Sequence, residues 1–130
     1  MKHVAQKEPA RSILRYPGAK WRIADFILQH MPRHHSYLEP FFGSGAVLFR
    51  KTPAPIETVN DINGDVVNLF RVVQTKAEEL AEAVAGLPYA RRVYEASLQG
   101  ASEASDVERA VRFLTTVWQS YGTRADGMNC

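Results

Sequence analysis

Apolar residues recur at helical spacing in several stretches of the chain, separated by shorter runs with a different pattern. The first stretch predicts a helix that Pro32 ends, and its apolar positions are Ile23, Phe26, Ile27 and Met31. Residues 66–73 are apolar on most sides, which predicts a buried helix. Residues 75–85 have a charged face and predict an amphipathic helix closed by Pro88.

The last helical pattern runs from Ser105 to Tyr121. Ser105 and Glu108 have the spacing of a capping box, so the helix is predicted to begin directly after Ser105. The apolar face of this helix consists of Val107, Ala110, Val111, Leu114, Val117, Trp118 and Tyr121. We expect this face, including both aromatic residues, to belong to the core.

Two short runs of β-branched and aromatic residues predict strands. Residues 37–39 lead into a glycine-rich loop, after which residues 46–50 are predicted to resume as a helix. Residues 56–60 form the second predicted strand, followed by a turn over residues 61–64. This order of elements is typical of a doubly wound α/β sheet. We therefore predict an α/β fold, a partial Rossmann-like sheet with an added helical segment.

Length and composition fit one modest domain: 130 residues, of which 45% are hydrophobic. No run approaches the roughly 20 apolar residues that a membrane span needs, and the N-terminus has no apolar signal segment. The single cysteine, Cys130, has no partner for an internal disulfide. These features predict a cytoplasmic protein without membrane contact.

Basic residues are enriched in residues 1–35, which fits either phosphate contact or a solvated N-terminus.

The glycine-rich loop Gly43-Ser44-Gly45 directly follows the first predicted strand. Glycine lets the backbone approach a ligand closely, and a helix after the loop would present free amides to it. Asp61 follows the next strand and could accept hydrogen bonds from ribose hydroxyls. The loop lacks the third glycine of a dinucleotide fingerprint and the lysine of a P-loop. The pattern therefore favours a nucleoside-bearing cofactor, with a simple packing turn as the alternative.

A second group of residues, Arg15-Tyr16-Pro17-Gly18-Ala19-Lys20, combines an aromatic ring, a tight turn and a cation at a predicted helix start. A cation is disfavoured in the first turn of a helix, so Lys20 invites a functional reason, such as neutralising a carboxylate. Tyr16 could stack on a ligand or hydrogen-bond to it. The alternative is a turn with a solvated lysine.

These two motifs and Val59-Asn60-Asp61-Ile62-Asn63 resemble, in order and spacing, the Dam-like DNA adenine methyltransferases. The resemblance covers about residues 12–75, and more loosely residues 112–122. The first motif departs from the family's commoner Trp-Ala-Gly-Gly-Lys. The resemblance implies S-adenosylmethionine as the cofactor and methyl transfer to adenine in double-stranded DNA as the reaction. It also implies that the predicted sheet is part of the sheet of an S-adenosylmethionine-dependent methyltransferase. The cofactor-binding residues that it implies are Tyr16, Lys20, Pro40, Phe41, Phe42, Gly43, Ser44, Gly45, Asp61 and Ile62.

The family's catalytic Asp-Pro-Pro-Tyr motif is absent, because no two prolines of the chain are adjacent. The resemblance thus implies the N-terminal part of such an enzyme, inactive by itself, as a fragment or as one half of a split enzyme with a second chain. Residues 1–11 are expected to be a disordered lead-in, residues 12–88 the S-adenosylmethionine-binding part, and residues 89–130 a helical segment leading toward a missing target-recognition region. Two alternatives remain: a non-catalytic cofactor- or DNA-binding module, and an unrelated NAD- or nucleotide-binding domain.

Overall fold

Five helices and two strands lie in the part of the chain that the computed structural model describes, residues 11–100 and 103–120. In chain order they are α1 (Ala24–Gln29), β1 (Ser36–Glu39), β2 (Ile56–Val59), α2 (Gly64–Thr75), α3 (Ala77–Ala85), α4 (Arg91–Leu98) and α5 (Asp106–Gln119). Helices and a parallel sheet confirm the α/β class. The lead-in predicted over residues 1–11 lies, except for Arg11, outside the described residues, and so does Tyr121.

The two strands pair in parallel, with Ser36 opposite Ile56 and Glu39 opposite Val59. The pairing continues past the strands, because Asn60 N donates to Glu39 O at 2.9 Å and Phe42 N donates to Asn60 O at 2.9 Å. In a parallel pair the carboxyl ends of both strands meet at the same edge. The glycine-rich loop and the turn at Asp61 therefore leave the sheet side by side.

The core lies among the helices, where α5 packs against α2, α3 and α4. Leu69 of α2 is fully buried and Val117 of α5 is 1% exposed. Leu14, from the segment before α1, is also fully buried in this cluster. The predicted α5 is confirmed with its capping box: Glu108 N donates to Ser105 Oγ, and Ser105 N donates to Glu108 Oε2. One expectation is wrong, because the Trp118 side chain is partly exposed and packs beneath the guanidinium of Arg15.

Residues 46–50 are not the helix that their composition predicts but a series of turns. Phe49 N bonds back to Gly45 O and Lys51 N to Val47 O, while Arg50 N reaches only three residues back, to Val47 O. A helix needs a costly first turn before it propagates, and between Gly45 and Pro53 the bonds switch between four-residue and three-residue spacing, so no regular helix is established.

Helix α4 lies in the helical segment predicted over residues 89–130, but no individual helix was predicted there, because residues 89–105 show no clear apolar stripe. None of its residues is fully buried, and the helix lies on the outer side of α5. A helix held at one surface needs few apolar side chains, so periodicity gives a weak signal there. None of the helices in the two described ranges is both long and apolar enough to cross a membrane.

Candidate functional site

A cavity of about 270 Å³ opens at the carboxyl edge of the two strands. Three segments that are distant in sequence form its walls: the turn after Tyr16, the glycine-rich loop and the turn at Asp61. Eight of the ten cofactor-binding residues predicted from the sequence line this cavity, namely Tyr16, Lys20, Phe41, Phe42, Gly43, Ser44, Asp61 and Ile62. Pro40 and Gly45 are not among the lining residues.

The carboxylate of Asp61 fastens the two loops together. Its Oδ2 accepts a hydrogen bond of 2.7 Å from Gly43 N, and its Oδ1 accepts one of 2.9 Å from Asn63 N. The loop amide is therefore used inside the protein instead of standing free for a ligand. Because residues 46–50 are turns, the loop does not lead into a helix N-terminus, and that part of the sequence interpretation is wrong.

The two loop glycines have left-handed backbone conformations for different reasons. At Gly43, with φ +52°, an added Cβ would lie 3.3 Å from Tyr16 Cδ1, so the tyrosine ring rests directly on this residue. At Gly45, with φ +69°, a Cβ would come within 2.6 Å of Phe42 Cζ and would also overlap Phe49. The missing side chain of Gly43 thus allows the Tyr16 ring to contact the loop, whereas the missing side chain of Gly45 leaves space for the rings of Phe42 and Phe49.

The two adjacent phenylalanines before Gly43 differ in burial: Phe41 is exposed at the cavity, and Phe42 belongs to the core. The Phe41 side chain is 78% exposed, whereas Phe42 is 6% exposed and meets Phe70 edge-on with ring centroids 4.8 Å apart. On the opposite rim, Ile62 is 97% exposed. Phe41 and Ile62 therefore offer open apolar surface, whereas Phe42 mainly holds the loop in place.

Glu39, at the end of β1, lines the cavity although sequence reasoning did not assign it to the site. Burial raises the pKa of this carboxyl, while a hydrogen bond of 2.9 Å from the Tyr37 hydroxyl and the charge of Lys20 act in the opposite direction. Burial also raises the pKa of Tyr37, and its contact with Glu39 adds to the shift. Its place directly before the loop was the signal that could have identified Glu39.

Lys20 faces the cavity but does not stand in the first turn of a helix. Helix α1 begins at Ala24, and residues 20–23 form a turn in which Ile23 N donates to Lys20 O at 3.1 Å. The macrodipole argument for Lys20 is therefore wrong, although the residue reaches the cavity. The turn is braced by Trp21, whose Nε1 donates to the buried Ser44 Oγ at 2.9 Å.

A larger cavity, of about 620 Å³, contains none of the predicted site residues. It is lined by residues 31–34, which precede β1, and by residues 50–53, which precede β2, together with Leu28. It therefore lies at the amino ends of the strands. Ligands of open α/β sheets bind at the carboxyl ends, which favours the smaller cavity as the candidate site.

Known proteins match a large part of this sequence. Residues 16–121 match the family described as D12 class N6 adenine-specific DNA methyltransferase. The chain is similar to the DNA adenine methylase of Escherichia coli K12, with 33% identity over 73 residues, which cover 56% of this chain and 26% of that protein. It is also similar to the DNA N-6-adenine-methyltransferase of Escherichia phage P1, with 33% identity over 70 residues, covering 54% of this chain and 9% of that protein.

The DNA adenine methylase of Vibrio cholerae is 31% identical over 68 residues, which are 52% of this chain and 24% of that protein. The matched part thus amounts to about a quarter of each bacterial methylase. A match of this kind decides against an unrelated NAD-binding domain. With residues 16–121 inside the family's pattern, the chain belongs to the D12 class N6 adenine-specific DNA methyltransferases.

Proposed function

We propose that residues 16–62 form the S-adenosylmethionine site of a DNA adenine methyltransferase. The observation that carries the proposal is that Tyr16, Gly43 and Asp61, from three separate motifs, surround one cavity at the carboxyl edge of a parallel strand pair. Membership in a methyltransferase family implies a methyl donor. The chemistry of the lining residues supports S-adenosylmethionine as that donor.

The polar residues suit the two polar ends of this cofactor. Each Asp61 oxygen accepts one backbone amide, and since a carboxylate offers about four lone-pair sites, acceptor capacity remains for ribose hydroxyls. Lys20 would neutralise the cofactor's carboxylate. Glu39, on the same cavity, would place a negative charge near its ammonium or sulfonium group.

The apolar residues suit the adenine ring. Phe41 and Ile62 are the most exposed apolar side chains on the cavity rim, and a flat heterocycle placed against them would remove both from water. When bound, S-adenosylmethionine supplies an activated methyl group. The residues of this chain would hold and orient that cofactor, while the groups that receive adenine would come from elsewhere.

The cavity lies at the lower limit of the size range of ligand sites. Ligand sites usually measure about 300–1,000 Å³, and this one has about 270 Å³. We propose that further residues complete it, either from a longer form of the protein or from a second chain. Those residues would extend the sheet to a Rossmann-like one and would supply the missing Asp-Pro-Pro-Tyr function. The proposed substrate of the complete enzyme is the exocyclic amino group of adenine in double-stranded DNA.

A second candidate function is a non-catalytic module that binds S-adenosylmethionine or DNA. The observation that favours it is the lack of any adjacent pair of prolines in the sequence. A module that binds S-adenosylmethionine also requires the cofactor cavity, and it differs from the first candidate in that no partner restores methyl transfer.

The test is calorimetric titration of the full chain with S-adenosylhomocysteine and, separately, with NAD. We expect S-adenosylhomocysteine to bind and NAD not to bind. Binding of NAD alone would contradict the proposal. Transfer of labelled methyl groups to duplex DNA is expected only after a polypeptide with the Asp-Pro-Pro-Tyr motif and a target-recognition region is added. If such polypeptides never restore transfer, the non-catalytic module is the better description.

A further inference from the structure

Asn63 makes three hydrogen bonds that join the acidic turn, helix α2 and the first motif. Its backbone N donates to Asp61 Oδ1 at 2.9 Å, and its side-chain Oδ1 accepts from Asp65 N at 2.9 Å. Its Nδ2 donates to the Tyr16 hydroxyl at 3.4 Å, across 47 positions of sequence. The residue is partly buried and is not itself among those lining the cavity.

The hydrogen bond from Asn63 holds the hydroxyl of Tyr16, while the Cδ1 edge of the same ring lies against Gly43. Near Tyr16 the main chain is held by a turn bond, from Ala19 N to Tyr16 O at 3.1 Å, and by the buried side chain of Leu14. Neither contact sets the direction of the tyrosine ring. The hydroxyl bond from Asn63 contributes to that direction at the far end of the ring, together with the contact with Gly43 and the packing of the ring against the core.

Helix capping alone does not require asparagine at this position. Serine, threonine and aspartate cap helices as well as or nearly as well as asparagine does. A serine or threonine hydroxyl accepts and donates through one oxygen, whereas asparagine carries its donor on a separate nitrogen and can cap a helix with its oxygen while that nitrogen reaches another group. The second contact therefore gives a reason for asparagine beyond the helix.

We propose that Asn63 is a positioning residue of the cofactor site: it orients Tyr16 through Nδ2 while it anchors the start of α2 through Oδ1. This inference rests on the proposed function, since it assigns Asn63 to the binding of the same cofactor. Asn63 itself would not touch the ligand. Its effect is to pre-organise the ring wall, which lowers the ordering cost of binding.

The experiment compares the full-length Asn63→Ser, Tyr16→Phe and Asn68→Ser variants and the Asn63→Ser/Tyr16→Phe double variant. Serine at position 63 keeps a capping oxygen and loses the amide donor. Asn68→Ser is the matched control, because Asn68 lies in α2, the helix that Asn63 caps, and likewise donates through Nδ2, but to Asp106 O at 2.8 Å, away from the cavity. The measurements are the dissociation constant for S-adenosylhomocysteine, the Tm, and the ring signals of Tyr16 in ¹³C-tyrosine-labelled protein.

We expect Asn63→Ser and Tyr16→Phe each to weaken binding by about two- to tenfold, the range for one neutral hydrogen bond. The double variant should be no weaker than either single one, because both changes break the same contact. Asn63→Ser should also shift the Tyr16 ring signals in the free protein. Asn68→Ser should leave both the affinity and those signals unchanged, although its Tm falls.

Two results would overturn the inference while the proposed function stands. In one, the wild type binds S-adenosylhomocysteine and Asn63→Ser binds it equally well with unshifted Tyr16 signals. In the other, the losses of the two single variants multiply in the double variant. If the wild type fails to bind S-adenosylhomocysteine at all, the proposed function itself is wrong, and the cofactor role of Asn63 falls with it.

Discussion

The backbone amide of Gly43 donates a 2.7 Å hydrogen bond to Oδ2 of Asp61, a residue 18 positions further along the chain. The bond crosses from the end of one parallel strand to the end of the next. It explains why a glycine loop and a carboxylate occur together in the sequence: the carboxylate shapes the loop before any ligand arrives. The local fold therefore depends on a side chain to which the proposed function also assigns a binding role.

Asp61→Ala is expected to lower both stability and cofactor affinity. Removing the carboxylate leaves two backbone amides, those of Gly43 and Asn63, without their acceptor. A partly buried group left unpaired costs about 1–3 kcal/mol, so the unfolding free energy should fall by an amount in that range. Urea denaturation measures this change, and calorimetry with S-adenosylhomocysteine measures the loss of affinity.

Asp65→Ala is the matched control for Asp61→Ala. Asp65 lies four residues later, and its side chain is half exposed and pairs with Arg109 at 2.9 Å. An exposed pair of this kind contributes about 0–1 kcal/mol, so we expect a small change in stability and none in affinity. Equal losses in the two variants would show that Asp61 is only one more charge at the start of α2.

Three glycine-to-alanine changes should separate backbone strain from crowding. At Gly45 the new Cβ would meet both left-handed strain and the rings of Phe42 and Phe49, so we expect a loss of about 2–5 kcal/mol. At Gly18, with φ +74° and open space around it, only the strain of about 1–2 kcal/mol applies. Gly64 opens α2 with open space around it, and alanine there should be neutral or slightly stabilising.

Thermal unfolding ranks these three variants. The expected order of Tm is Gly64→Ala at or above the wild type, then Gly18→Ala, then Gly45→Ala. If Gly45→Ala were as stable as Gly18→Ala, the aromatic packing behind the loop would be looser than the structure has it.

The local pattern of the sequence was enough to predict the strands, the capped helix α5 and most of the cavity. The helix depends on contacts between near neighbours, such as the bonds between Ser105 and Glu108. The cavity was predicted because the glycine-rich loop and Asp61 each come directly after a predicted strand. The parallel pairing of β1 and β2 agrees with the doubly wound α/β sheet that the order of elements predicted.

What the sequence did not predict depends on distant partners. Phe41 and Phe42 are adjacent residues of the same type. Contacts with residues distant in sequence, such as Phe70, bury the second ring and leave the first one exposed. The contact of Asn63 with Tyr16 spans 47 positions of sequence and forms only on folding, and Glu39 lines the cavity only because distant loops meet beside it. The turns at residues 46–50 replaced a predicted helix, although Gly45 and Pro53, which bound this segment, are visible in the sequence.

Stability should fall in acid through the pair formed by Lys51 and Glu57. The Lys51 side chain is buried, and its ammonium contacts Glu57, Thr52 O and the Tyr37 ring. Lys51 lowers the pKa of Glu57, with the Ala54 amide adding to the effect. The stabilisation is therefore present above the ordinary glutamate pKa of about 4.3 and is lost as the pH falls through the lowered value.

Glu57→Gln should lower the Tm at pH 7 and make the decline of Tm below pH 5 less steep. Asp106→Asn is the control: the Lys76 ammonium likewise lowers the pKa of Asp106, but both side chains are exposed. Its smaller effect should disappear in 1 M salt, whereas the effect of Glu57→Gln should persist, because the buried Lys51 is poorly screened. An identical response of both variants to salt would mean that Lys51 is accessible to solvent.

Truncating an apolar side chain should have opposite consequences at Ile62 and at Leu69. Leu69 is fully buried in the helical core, so Leu69→Ala should cost about 2–5 kcal/mol of unfolding free energy. Ile62 is 97% exposed on the cavity rim, so Ile62→Ala should change that free energy by less than about 0.5 kcal/mol. Its apolar surface is buried only when a ligand lies against it, and losing it should weaken S-adenosylhomocysteine binding by roughly tenfold, the equivalent of about 1.4 kcal/mol. If Ile62→Ala bound as tightly as the wild type, the adenine ring would have to lie elsewhere in the cavity.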